Sequence, residues 1–122
     1  MISKTKIPSE SQEQQRLVLK LRWNHPEIEF FSIPNGGKRG KGEARTLKLE
    51  GVEPGVPDLF IVDARQGFHG FFIEMKDLKG GVVSKAQKVK HARYQERGYK
   101  VEVCSGAENA LVEILSYFGK TC

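Results

Sequence analysis

The run DLFIVDARQGFHGFFIEMK (residues 58–76) decides the fold. Residues 58–63 and 70–76 are rich in β-branched and aromatic side chains, and the glycine-containing ARQGFH between them reads as the connection of a β-hairpin. Strand side chains alternate between faces, so Phe71, Ile73 and Met75 share one face while Phe72, Glu74 and Lys76 share the other. On the partner strand Asp58 shares its face with Phe60 and Val62. An apolar sheet thus gathers its charged groups toward one end. Two carboxylates beside a lysine at such a rim are costly unless the charges compensate one another or bind a metal.

Downstream, Gly80-Gly81 breaks the chain, a helix is expected over residues 84–98, and a strand follows over 99–104. Ser105-Gly106-Ala107-Glu108 has the form of a capping box and opens a last helix. In it Ala107, Ala110, Leu111, Ile114, Leu115 and Phe118 recur every three or four residues. Upstream, Ser9 is expected to cap a helix that runs to about Trp23, with Leu17, Val18 and Leu21 as its buried stripe and His25-Pro26 as its end. A strand is expected over 28–33. Residues 34–57 form a loop rich in glycine and charge, long enough to be functional, with a short helix over 43–50 closed by Gly51. The order αβ(α)ββαβα, without repeats or low-complexity segments, predicts an α/β fold: a single domain over residues 1–122 with a mixed β-sheet flanked by helices. Residues 1–8 are expected to be a flexible N-terminal segment.

A chain of 122 residues with 39% hydrophobic and 29% charged residues is a globular composition that excludes intrinsic disorder. The longest apolar runs, 59–62 and 71–73, fall far short of the ~20 residues of a membrane-spanning helix. MISKTKIP lacks the apolar stretch of a secretory signal, and Cys104 and Cys122 make neither a disulfide framework nor a zinc spacing, so a cytoplasmic protein is expected. The net charge of +5 and pI near 9.3 favour a polyanionic partner. The basic residues are grouped: Lys38, Arg39, Lys41, Arg45 and Lys48 lie close together with only Glu43 opposing them, and Lys85, Lys88, Lys90, Arg93 and Arg97 follow with only Glu96.

Magnesium takes oxygen ligands and keeps several waters, so Asp58 and Glu74 with a substrate phosphate make a sufficient site, and Lys76 is placed to position or deprotonate a water. The plainer reading of Glu-x-Lys is a cross-strand ion pair. Gln87 is ambiguous, because Ser84-x-x-Gln87 is also a capping box that ties the amide to backbone. His91, one turn later, reads as structural. Asn35, Gly36, Gly37, Lys38 and Arg39 read either as a phosphate-contact loop or as an ordinary turn after a strand.

The string GVEPGVPDL (51–59), with Asp58 following Pro57, and EMK (74–76) resemble the PD-(D/E)xK nuclease superfamily. More narrowly NGGKR (35–39), the run 51–59, Gln87 and Gly98-Tyr99 resemble the VRR-NUC family of virus-type replication-repair nucleases, which includes free-standing phage domains; the match runs from about Ser9 to Val103. The resemblance implies a restriction-endonuclease-like fold and a DNA endonuclease that depends on Mg²⁺ or Mn²⁺. Asp58, Glu74, Lys76 and Gln87 fall at its catalytic positions, and an acidic residue on the first helix joins them. Glu10 and Glu13 both qualify. At about 100° per residue from Glu10, Leu17 and Leu21 lie near −20° and 20° and Glu13 near −60°, so Glu10 is better placed on the sheet-facing stripe. The implied metal ligands are Glu10, Asp58, Glu74 and the backbone carbonyl of Met75. The expected DNA contacts are Asn35, Gly36, Gly37, Lys38 and Arg39 of that motif, joined by Lys41 and Arg45 of the basic group. Branched DNA is the expected partner, with four-way (Holliday) junctions cut by a homodimer in the cytoplasm, the host cell's if a phage encodes the chain. A flap or nicking nuclease and a catalytically silent nucleic-acid-binding module are the alternatives.

Overall fold

The hairpin around residues 58–76 forms the centre of a four-stranded sheet in the computed structural model, which describes residues 6–34 and 40–121. The elements are α1 (Glu10–Asn24), β1 (Phe30–Ser32), α2 (Lys41–Leu49), β2 (Leu59–Ile61), β3 (Phe71–Lys76), α3 (Lys85–Glu96), β4 (Lys100–Ser105) and α4 (Ala107–Tyr117). The expected order and mixed sheet are thus present. The sheet order is β1-β2-β3-β4, with the first two pairings antiparallel and β3–β4 parallel. A parallel pair needs a crossover, and α3 supplies it. Between β2 and β3 the chain turns at Gln66 and Gly67, both at positive φ, as a tight hairpin turn demands. Gln66 is held in that strained conformation by its side-chain amide, which donates to the carbonyls of Ser116 and Tyr117 at 3.0 and 3.1 Å.

The alternation read from the sequence is realised. Leu59, Ile61, Phe71, Ile73 and Met75 are fully buried in one cluster with Leu17 and Leu21 of α1 and Ala107, Ala110, Ile114 and Leu115 of α4. The α4 stripe is therefore core. On the opposite face Phe31, Phe60 and Phe72 sit side by side across three strands, with ring centroids 5.7 and 4.6 Å apart. There α3 lays Tyr94 on Phe72, nearly parallel at 4.7 Å.

Boundaries differ where hydrogen bonding outruns or falls short of side-chain pattern. The strands expected over 28–33 and 58–63 have regular cores of only three residues each, although Ile33 and Val62 still donate to Asp58 and Glu29 at 2.8 and 3.1 Å. The short helix α2 begins at Lys41, earlier than expected, and Gly51 follows it at φ 99°. Val18 is half-buried, and the third wholly buried position of α1 is Glu13.

Glu13 accounts for a correction at α4. The expected capping box at Ser105 does not form: β4 continues through Ser105 and Gly106, at φ 88°, is the N-cap with no side-chain bond. Lys76 pairs with Ser105, and the Gly106 N–H donates to the Lys76 carbonyl at 2.9 Å, which holds Ser105 in the ladder. The Glu13 carboxylate takes the capping role from a distant part of the chain, accepting from the Ala107 N–H at 2.9 Å while Arg16 pairs with it at 3.1 Å. A negative charge at a helix N-terminus is favourable, and this one locks α1 to α4. Glu13→Ala leaves a buried N–H unsatisfied and is expected to cost about 1–3 kcal/mol in a urea unfolding titration. Glu13→Gln, which keeps an acceptor, should cost less. Equal stability of Glu13→Ala and the wild type would remove the cap from the account.

Residues 1–5 of the expected flexible segment and the loop of Asn35, Gly36, Gly37, Lys38 and Arg39 lie outside the described residues. Among the described residues no helix is long and apolar enough to cross a membrane.

Candidate metal centre at the end of the sheet

Continuing the register of Leu59 with Ile73 by one residue sets Asp58 opposite Glu74. Directly opposed residues have Cβ atoms roughly 4.5–5.5 Å apart, so two carboxyl groups face each other at the sheet end. Asp58 is tied into the ladder: its N–H donates to the Ile73 carbonyl at 3.0 Å, and its Oδ2 accepts from the Met75 N–H at 2.6 Å. The loop that leads to it needs Gly55, which has φ 86° and passes so close to α3 that a Cβ would lie 2.4 Å from the Ala86 carbonyl oxygen. This gives the glycine of GVEPGVPD a physical reason: the chain turns beneath the start of α3 and delivers Pro57 and Asp58 to the sheet.

Glu10, in the first turn of α1, completes the group. One oxygen from each of Glu10, Asp58 and Glu74 lies within 4.8 Å of the others. Of the two acids that qualify on α1, Glu10 converges with Asp58 and Glu74, and Glu13 is turned toward α4. The electrostatics show how crowded the carboxylates are. Burial, then hydrogen bonding and charge repulsion from Asp58, push the Glu74 carboxyl up to about 9, against the opposing pull of Lys76. Glu10 is raised as well, first by burial and then by Asp58. Glu10 and Glu74, both pushed away from ionising, converge with Asp58 on one point, and these oxygens are a donor set suited to a hard divalent cation, whose charge offsets their crowding.

Lys76 is 7% exposed, and its ammonium donates to Gln87 Oε1 at 3.2 Å. The same oxygen accepts from the Ser84 N–H at 2.9 Å, so the capping box and the site contact are both present. One turn on, His91 Nε2 lies 3.1 Å from Glu74 Oε1, which the sequence reading as a structural histidine missed. The available signal was the four-residue spacing from Gln87, which puts both side chains on one helix face. Burial and the Lys76 charge hold the His91 imidazole below its usual range. The Met75 side chain is buried in the core, and its amide serves Asp58. Of the expected DNA contacts, Arg45 is exposed on α2 and Lys41 opens that helix; Lys48, exposed and three residues from Arg45, lies beside it.

A mixed sheet with two acids and a buried lysine at one end, joined there by a third acid from the first helix, has the architecture of a nuclease-type α/β domain. The VRR-NUC domain family model matches residues 9–108, and the chain belongs to that family. A solved structure of a "VRR_NUC domain protein" is similar to it over 93% of this chain and 91% of that one, with 25% sequence identity and a TM-score of 0.76. No curated protein matches the chain.

Proposed function

We propose that the chain is a Mg²⁺- or Mn²⁺-dependent DNA endonuclease that hydrolyses phosphodiester bonds in branched DNA, including four-way junctions, as a two-fold homodimer. The observation that carries this reading is the convergence of Glu10, Asp58 and Glu74 to within 4.8 Å beside Lys76. Glu10, Asp58 and Glu74 would hold the ion, with the Met75 backbone carbonyl as a further ligand. When bound, the ion supplies Lewis-acid stabilisation of the charge that develops on the phosphoryl oxygens.

The remaining work falls to the chain. Met75 N–H fixes the Asp58 carboxylate, so its second oxygen keeps one direction. Gln87 accepts from the Lys76 ammonium and aims it along the sheet end. From there Lys76 orients the attacking water and offsets negative charge in the transition state. Residues 35–39 with Lys41, Arg45 and Lys48 hold the DNA backbone by charge, which gives affinity without base specificity. Paired incisions in a junction need two sites related by a dyad, which an isologous dimer provides.

Incubation of the protein with labelled duplex, flap and four-way junction DNA in Mg²⁺, Mn²⁺ or EDTA tests the reading, with light scattering for the dimer. Paired cuts in the junction are expected. Single incisions by a monomer would make it a flap or nicking nuclease, and tight binding without cleavage in either metal a silent binding module. The double substitution Arg45→Ala and Lys48→Ala should weaken DNA binding and reduce the slope of log K against log salt by up to about 1.8 if each residue meets one phosphate. An unchanged slope would move the DNA path off α2.

A further inference from the structure

We propose that His91 is a positioning residue for the metal centre: its Nε2–H holds one oxygen of Glu74 so that the other is presented to the cation. The inference rests on the metal reading of the site and goes beyond it, because it assigns the far side of that site to α3.

The argument starts from the match between a helix and a strand. Along β3, Lys76, Glu74 and Phe72 point to one face at two-residue steps of about 6.6 Å, and steps of four and three residues along a helix advance about 6 and about 4.5 Å. Running the opposite way, α3 sets Gln87 on Lys76 at 3.2 Å, His91 on Glu74 at 3.1 Å and Tyr94 on Phe72 at 4.7 Å between ring centroids. Each side chain of the strand thus meets one of the helix. The Phe72–Tyr94 contact is apolar packing and fixes how far α3 can slide. The other two contacts are polar, and both end on residues of the Glu-x-Lys pair.

His91 stands behind the cluster. Among the described residues the group whose ligand atoms converge is Glu10, Asp58 and Glu74, and His91 is not part of it. His91 is 9% exposed and Glu74 1%, so water does not compete for the bond between them. An ionised carboxylate accepts only, so with a cation bound the Nε2 that faces Glu74 must carry the proton. With Oε1 held, rotation of the Glu74 carboxyl group is restrained and Oε2 is the oxygen left to face the ion. A partner of this kind typically contributes 10–100-fold to metal affinity.

The test compares His91→Gln, whose amide can still donate near the Nε2 position, with His91→Met, which fills similar volume and donates nothing. Mn²⁺ binding to the full chain without DNA is measured by titration calorimetry, with thermal unfolding in EDTA as the check on folding. Expected is an affinity within a few-fold of wild type for His91→Gln and a loss of about 10–100-fold for His91→Met. Wild-type affinity in His91→Met, or an equal loss in both folded variants, would overturn the role. Should His91→Met fail to fold, ¹⁵N-histidine NMR of the wild-type protein decides. A proton on Nε2 and a ring shift on Mg²⁺ addition are expected, and a bare Nε2 in the Mg²⁺-loaded protein would overturn the proposal. Absence of Mn²⁺ binding by the wild-type chain would overturn the metal reading itself, an outcome distinct from wild-type binding that His91→Met leaves intact.

Discussion

Asp58→Ala or Glu74→Ala is expected to abolish DNA cleavage, with turnover reduced at least about 10³-fold, while DNA affinity stays within a few-fold of wild type. Each substitution removes one of three converging oxygens, and a bound ion stabilises transition-state charge by several kcal/mol, each 1.36 of which is a factor of ten in rate. The basic residues that supply affinity are untouched. Stability should move the other way. Without metal, the folded state favours a protonated Glu74, whose carboxyl is pushed up to about 9, whereas the unfolded chain ionises it near the ordinary 4.5. Unfolding then releases a proton, so metal-free stability falls as pH rises from 4.5 through about 9. Glu74→Gln, which cannot ionise, should flatten that part of the profile and unfold at a higher temperature than wild type in EDTA at pH 8. Mn²⁺ should raise the wild-type melting temperature and leave that of Glu74→Gln nearly unchanged. A pH-independent wild type in EDTA would show that the three acids do not crowd one another in solution.

Lys76→Ala is expected to lower turnover at saturating DNA by roughly 10²–10⁴, the range for loss of one acid–base or electrostatic participant. Its ammonium is nearly buried beside three acids, where the low local dielectric strengthens its effect on a reacting phosphate. Gln87 retains the Ser84 N–H when Lys76 is removed, so the start of α3 should survive the change. Single-turnover rates with circular dichroism on the same sample make the comparison. A folded variant that cleaves at the wild-type rate would reduce Lys76 to the ion-pair partner that the Glu-x-Lys pattern alone also allows.

The legible parts of the fold were those governed by local rules. Alternation along residues 71–76 assigned the buried face, Ser84 and Gln87 cap α3 as their spacing requires, and the three-to-four periodicity of α4 is the core stripe. Angular counting on α1 separated Glu10 from Glu13. What local rules missed depends on partners remote in sequence. Ser105 looked like a cap because Glu108 follows at the right spacing, yet pairing with Lys76 keeps it in β4 and Glu13 caps the helix. His91 carries only its four-residue spacing from Gln87 as a local mark, since Glu74 reaches it only after α3 folds back across the sheet. Gln87 reads in sequence either as tied to backbone or as a site residue, and in the fold one oxygen accepts from both the Ser84 N–H and the Lys76 ammonium because it can take two bonds.

The most direct measurement is strand cleavage of an end-labelled four-way junction by the full chain and by Asp58→Ala, in Mg²⁺, in Mn²⁺ and in EDTA. The account predicts paired, symmetric incisions by the wild type with either metal, and none in EDTA or by Asp58→Ala. Cleavage that persists in EDTA, or a folded wild-type protein that binds the junction and leaves it intact with both metals, would contradict it.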